Sequence, residues 1–262
     1  MDPSIICEKT IVVVRAVGDF IRDEATRFDY RKVEEKGLND LVSYVDKQAE
    51  SLLVESLSKI LPESGFIAEE GTAQHNKEQY IWIVDPLDGT TNFTHGLPIY
   101  AVSVALLKDD EIIVGVVYEI NKNEMFSAIK NGGAYCNNEA IAVSQRPLLN
   151  QSLLATGFPY YNFEGMAKYL SILSDFMQGT HGLRRMGSAA VDLAYVACGR
   201  FGGFFEYNLK PWDIAAGALL VTEAGGAVSD FSGNDNYLFG KEIIAAGTIH
   251  NELQETIAKH WF

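Results

Sequence analysis

Three apolar runs, Ala101 to Leu107, Ile112 to Glu119 and Met125 to Ile129, follow one another with only short polar breaks between them. The breaks, Lys108-Asp109-Asp110 and Asn121-Lys122-Asn123, are turn sequences, and Asn131-Gly132-Gly133 is another, so the runs read as a strand meander. Upstream, apolar residues recur at helical spacing from Ile5 to about Phe28, which predicts an amphipathic helix. Tyr30 to Lys36 is a charged stretch and Lys36-Gly37 a loop. Asn39 or Asp40 then caps a second helix that Pro62 and Gly65 stop after Leu61. Phe66-Ile67-Ala68 and Tyr80 to Val84 are strands, the first ending at Glu69-Glu70-Gly71 and the second at Asp85. On this reading two long helices precede every strand and cover a largely antiparallel sheet.

Beyond about Arg146 strands and helices alternate. Leu153 to Thr156, Phe204 to Glu206, Ala227 to Asp230 and Ile243 to Ala246 read as strands. Phe163 to Met177, Gly187 to Ala197, Asp213 to Glu223 and Asn251 to Lys259 read as helices. Alternation of this kind predicts an α/β half. With 262 residues, 47% of them hydrophobic, and no repeat or linker between residues 1–145 and 146–262, a single domain over 1–262 with shared packing is expected.

The net charge of −14 opposes nucleic acid as a main partner. It also opposes an anionic substrate, unless bound cations reverse the potential at the site. Cys7, Cys136 and Cys198 form no CxxC pair and read as reduced thiols. The first residues carry no basic segment before an apolar run, and no apolar stretch is long enough to span a bilayer, so a cytoplasmic protein without membrane contact is expected.

Asp85-Pro86-Leu87-Asp88-Gly89-Thr90 carries the chemistry. Asp85 ends an apolar strand, and Pro86 starts a turn that brings Asp88 back towards it, with the Leu87 carbonyl between them. Two carboxylates and a carbonyl are hard oxygen ligands of the kind magnesium takes. Alone, such a turn is more often a pair of solvated acids. Gly89-Thr90-Thr91-Asn92 adds a glycine, hydroxyls and a helix start, whose amides can take a phosphate. Glu69, at the end of the preceding strand, completes the set if the two strand ends are neighbours, with Glu70 behind it. Asp213 opens a helix rich in Ala and Gly. It is first a cap, and a ligand only if that helix is brought in from the second half. His95 reads as a pocket-edge or structural histidine.

These residues resemble the inositol monophosphatase family of lithium-sensitive, magnesium-dependent sugar phosphatases, in its bacterial form. The matching blocks are Phe66 to Glu70, Trp82 to Phe93, Gly187 to Ala190, and Trp212 to Gly217 through Glu223 to Gly226, in the family's order. The resemblance implies a layered α/β/α/β/α sandwich, usually a homodimer. It implies that Glu69, Asp85 and the Leu87 carbonyl hold one Mg2+, that Asp85, Asp88 and Asp213 hold a second, and that a third binds weakly near Glu69. It further implies that Thr90, bonded to Asp46, works with Glu69 on the nucleophilic water, and that the amides of Gly89 and Thr90 hold the phosphate. Asp88, Gly187, Ser188, Ala189 and Glu206 would receive the substrate hydroxyls, and Lys36 falls near a family lysine close to the weak metal.

The implied activity is hydrolysis of the phosphate monoester myo-inositol 1-phosphate or a related sugar phosphate, inhibited by lithium and excess magnesium. Relatives acting on fructose 1,6-bisphosphate, histidinol phosphate, NADP or 3′-phosphoadenosine 5′-phosphate share the metal residues. Thr91-Asn92-Phe93 is unlike the nucleotide-cleaving branch. A non-enzymatic alternative is an accessory role in the transcription machinery. Arg184-Arg185 is isolated, however, and no basic patch with interleaved aromatics is present.

Overall fold

The computed structural model describes residues 2–29, 31, 34–37, 40–71 and 78–262, with backbone alone for 34–37 and 40–42. Helix α1 (Pro3–Ala25) starts on proline, with the Asp2 carboxylate accepting the Ser4 amide. A short antiparallel hairpin follows, β1 (Glu34–Gly37) and β2 (Asp40–Val42). It replaces the expected loop at Lys36-Gly37, so the two long helices do not precede every strand. Helix α2 (Tyr44–Ile60) is capped by Ser43, three residues later than the expected Asp40, while Asn39 lies outside the described residues. Ser43 caps because Asp46, three residues on, returns a bond to its amide and completes a capping box.

Strands β3 (Gly65–Ala68) and β4 (Tyr80–Asp88), helix α3 (Thr90–Thr94), and strands β5 (Ala101–Lys108), β6 (Glu111–Glu119), β7 (Glu124–Ile129), β8 (Gly133–Cys136) and β9 (Glu139–Ala140) come next. The strands form a seven-stranded sheet in chain order. β3 pairs parallel with β4, and every later pair is antiparallel. The turn at Asn131-Gly132-Gly133 leads into β8 and β9, which the meander reading stopped short of.

The second half contains β10 (Leu153–Thr156), α4 (Met166–Gly179), β11 (Gly182–Arg184), α5 (Ala189–Ala197), β12 (Gly203–Tyr207), α6 (Pro211–Glu223), β13 (Ala227–Ser229), α7 (Tyr237–Gly240), β14 (Glu242–Ala246) and α8 (His250–Trp261). Its five strands lie in the order β11-β10-β12-β14-β13, with β10 parallel to β11 and β12 and the remaining pairs antiparallel.

Helices cover both faces of both sheets. Ile6, Val14 and Ile21 of α1 and Leu53 and Leu57 of α2 pack on Trp82, Val104 and Tyr118 at the outer face of the large sheet. Leu193 of α5 and Ile214 and Leu220 of α6 fill the space between the sheets, against Ile83, Val117 and Phe126 on one side and Phe204, Ile243 and Ala245 on the other. Phe176 of α4 and Leu253 and Ile257 of α8 cover Phe205 and Ile244 outside the small sheet. This is the expected α/β/α/β/α sandwich. Because β4 is buried on both faces, it reads as an unbroken apolar run rather than an alternating one. Each such side chain stabilises the fold by about 1.5–3 kcal/mol. The small residues of α6 do what their size suggested: a Cβ on Gly217 would lie 2.5 Å from the Cβ of Leu193, so α5 and α6 approach closely only with glycine there.

Candidate active site

The site begins with an irregularity in β4. Asp85 lies opposite Ser103 and Asp88 opposite Ala101, so β4 spends three residues where β5 spends two. In a regular strand, residues three apart face opposite sides. The extra residue is a β-bulge, and it returns Asp88 to the side of Asp85. The strand continues through Asp88, so this bulge, not the turn expected at Pro86, joins the two acids. Proline suits the bulge because no amide is required of it there. The Leu87 amide donates to Asp85 Oδ1 at 3.0 Å and fixes that carboxylate.

Parallel pairing sets Ala68 opposite Val84, and the Glu69 amide donates to the Val84 carbonyl at 3.3 Å. Glu69 therefore emerges beside Asp85, and the two carboxyl groups share a hydrogen bond. The Glu70 amide donates to Glu50 Oε2 at 2.6 Å, tying this strand end to α2. Asp213 stands in the first turn of α6, where it accepts the Lys210 amide at 2.6 Å. It is thus a cap, yet it also joins the acids of β4: carboxylate oxygens of Asp85, Asp88 and Asp213 lie within 4.8 Å of one another.

Charge makes this gathering costly without a cation. Burial, then the charges of their acidic neighbours, push Asp85 and Asp213 well above the usual carboxylate range. Burial raises Asp88 to about 6, against hydrogen bonds from Ser188 and the amides of Ala190 and Ala189 that favour its ionised form. An oxygen-only set of carboxylates, Asp85 buried and Asp88 and Asp213 partly so, is what a hard divalent cation neutralises, so these residues fit magnesium.

Beside them, Thr90 Oγ1 lies 2.8 Å from Asp46 Oδ1 and 3.1 Å from the Leu87 carbonyl. Asp46 is held in turn by the amide and hydroxyl of Ser43, at 2.9 and 2.6 Å to Oδ2. Gly89 precedes Thr90 with φ 101°, a conformation that favours glycine, and a Cβ there would lie 3.0 Å from the Ile99 carbonyl.

The second half supplies the opposite wall. Gly187 lines the cleft, Ser188 caps α5 and donates to Asp88 Oδ2 at 2.6 Å, and the amides of Ala189 and Ala190 face the same carboxylate. Glu206 on β12 is buried and pushed up to about 8 by that burial. Its carboxylate lies where a Cβ on Gly157 would stand, so a side chain there would displace it.

All of the expected site residues named so far line one cleft of about 330 Å³ except Asp46, Glu70, Ser188 and Ala189, each next to a lining residue. His95 is exposed at the end of α3 and does not line it, and the Lys36 side chain lies outside the described residues. Sequence reasoning missed Asn92, Phe158, Tyr160, Tyr161, Arg185 and Asn208, which do. Asn92 donates to the carbonyls of Ile99 and Met186, both at 2.8 Å, stitching α3 to the loop that carries Gly187. Arg185, read as isolated, stands on the cleft wall. The available signal was the aromatic run Phe158-Pro159-Tyr160-Tyr161 just past the end of β10, the strand that pairs with β12 and its Glu206.

Residues 5–261 match the family model described as the inositol monophosphatase family. The chain belongs to the inositol monophosphatase family. Among its relatives, it is 48% identical to the putative Nus factor SuhB of Neisseria meningitidis serogroup B, over 88% of this chain and 89% of that one. It is 42% identical to the inositol-1-monophosphatase of Mesorhizobium japonicum, over 83% of this chain and 82% of that one. The fold is similar to the crystal structure of the extragenic suppressor protein suhB from Bartonella henselae, with a TM-score of 0.91, 39% identity, and coverage of 96% and 98% of the two chains. Among the described residues of this family member, no helix is long and apolar enough to cross a membrane.

Proposed function

We propose that this protein is a magnesium-dependent phosphomonoesterase that hydrolyses myo-inositol 1-phosphate and related sugar phosphates. The observation that carries the reading is the gathering of Asp85, Asp88 and Asp213 beside Glu69, with the Thr90–Asp46 pair at its edge. Glu69, Asp85, the Leu87 carbonyl, Asp88 and Asp213 are the groups that would hold the metal. Bound there, magnesium supplies Lewis-acid stabilisation of phosphoryl charge and lowers the pKa of water.

The chain's own residues do the rest. Asp46 accepts the Thr90 hydroxyl proton, which leaves the lone pairs of that oxygen to orient the attacking water. Glu69 accepts the proton that the water releases. The amides of Gly89 and Thr90 hold phosphoryl oxygens. The water oxygen bonds to phosphorus as the bond to the alcohol oxygen breaks, and that oxygen leaves as an alcohol on taking a proton from solvent. Asp88 and the loop Gly187-Ser188-Ala189 face the leaving alcohol. Glu206, pushed up to about 8 by burial, offers its hydroxyls an acceptor and, when protonated, a donor.

Assay of purified protein on a panel of phosphate esters, in magnesium and in EDTA, tests this. Magnesium-dependent phosphate release from myo-inositol 1-phosphate is expected, and turnover of no ester would overturn it. The Nus factor name of the Neisseria relative favours a second reading, an accessory role in the transcription machinery. Capture of RNA polymerase by both the wild-type chain and a catalytically dead Asp85→Asn variant would support that role independently of hydrolysis.

A further inference from the structure

A second cavity, of about 540 Å³, is lined by Leu219, Thr222 and Glu223 of α6 and shares no lining residue with the metal cleft. Asp213 stands in the first turn of that helix, so about 15 Å of α6 separates it from Glu223. The apolar lining is Leu219 with Ile112 of β6 and Tyr237, Leu238 and Phe239 of α7. Leu219 is buried, whereas Phe239 is 60% exposed and leaves its ring open to a ligand.

The charged lining is mostly of one sign: Asp110, Glu111, Glu223 and Asp235 against Lys130. Lys130 is paired with Glu111, and both oxygens of Glu223 accept backbone amides, from Asn131 at 2.8 Å and Gly133 at 2.9 Å. Asp110 and Asp235 are exposed and form no hydrogen bond or ion pair among the described residues. The last turn of α6 carries no basic residue, so the negative end of its dipole adds to their field. A metal ion has no ligand set here. Among the described residues, only Asp85, Asp88 and Asp213 bring three such ligand atoms within 4.8 Å of one another, so no three acids of this cavity converge. Spaced carboxylates beside aliphatic and aromatic side chains suit instead a cation whose charges are strung along an apolar chain.

We propose that this cavity binds a linear polyamine, with its methylene segments on Leu219, Leu238 and Phe239 and its ammonium groups at Asp110 and Asp235. The site is separate from the phosphomonoesterase reading and stands without it. Bulk acidity alone would attract any cation of equal charge equally, and the apolar chain of a polyamine makes the difference measurable.

Isothermal titration calorimetry of spermidine into the full chain, in excess magnesium to fill the metal cleft, tests this against hexaamminecobalt(III), a compact trication without methylenes. Saturable binding of one spermidine per chain is expected, with the cobalt complex weaker by about fivefold or more. Combining Asp110→Asn with Asp235→Asn should weaken spermidine by about fivefold or more, and Phe239→Ala should weaken it by about threefold without affecting the cobalt complex. Asparagine suits the φ of 65° at Asp110, and all three side chains are exposed, so unchanged melting temperatures are expected of the variants. Absence of saturable binding, equal affinity for the two cations, or spermidine affinity unchanged in the variants would each overturn the site.

Discussion

Asp46 spends one carboxylate oxygen on Ser43 and offers the other to Thr90, which decides where the threonine proton goes. Directed to Asp46, it leaves the Thr90 oxygen as an acceptor for water. Thr90→Ala and Asp46→Asn are each expected to lower kcat by about 10² with little change in KM. The double variant should be no worse than either single one, because the two residues act as a unit. Losses that multiplied would show that they do not. Glu69→Gln, with the proton acceptor gone, is expected to lower kcat by at least as much. At this scale the motif from Asp85 to Thr90 was legible because its residue types are themselves the chemistry. Asp46 was not legible from its own neighbourhood: an acid in the first turn of a helix serves capping equally well, and only resemblance marked it. Tyr161, and the place of Arg185 on the cleft wall, were not legible because they depend on which loops the strand ends bring together, which periodicity does not report.

Two local devices set the geometry among the elements, the bulge in β4 and the capping box of α2. Ser43→Ala removes the cap and, of the two donors to Asp46 Oδ2, the hydroxyl, leaving the amide. It is expected to cost about 1 kcal/mol in urea unfolding and to lower kcat as well, because Asp46 loses one of its anchors. A stability loss with unchanged kcat would separate the cap from catalysis. On the other wall, Gly157→Ala forces a methyl against Glu206. It should cost about 1–3 kcal/mol and raise KM for the cyclitol ester more than it lowers kcat. The strands of the meander were legible because short turns and apolar runs fix them locally. The bulge was not, since Asp-Pro reads as a turn unless one knows that β5 continues alongside. The cap moved from Asp40 to Ser43 for a similar reason: a hairpin uses the residues that propensity alone would give to the helix.

Across the whole molecule, the two halves meet at a cluster of acids whose protonation opposes their use. In the metal-free protein burial pushes Asp88 up to about 6 and Glu206 up to about 8, whereas an unfolded chain releases these protons near pH 4. Their folded pKa values are raised, so the stability they contribute is full below about pH 4 and is lost as pH rises through about 6 and then about 8. The melting temperature of metal-free protein is therefore expected to fall between pH 5 and pH 8.5. Added magnesium should restore it more strongly at the upper end, where it no longer competes with protons for Asp88. A flat or rising profile without metal would contradict this. The layered architecture was legible as two halves with different strand patterns. That the cleft would open where Asp213 crosses from the second half to the acids of β4 required the fold. The most direct measurement is the rate of phosphate release from myo-inositol 1-phosphate as magnesium is titrated into wild type and Asp213→Asn. Saturable activation is expected in wild type, absent in EDTA, with a loss of about 10² or more in the variant. Undiminished turnover in EDTA, or in Asp213→Asn at every magnesium concentration, would contradict it.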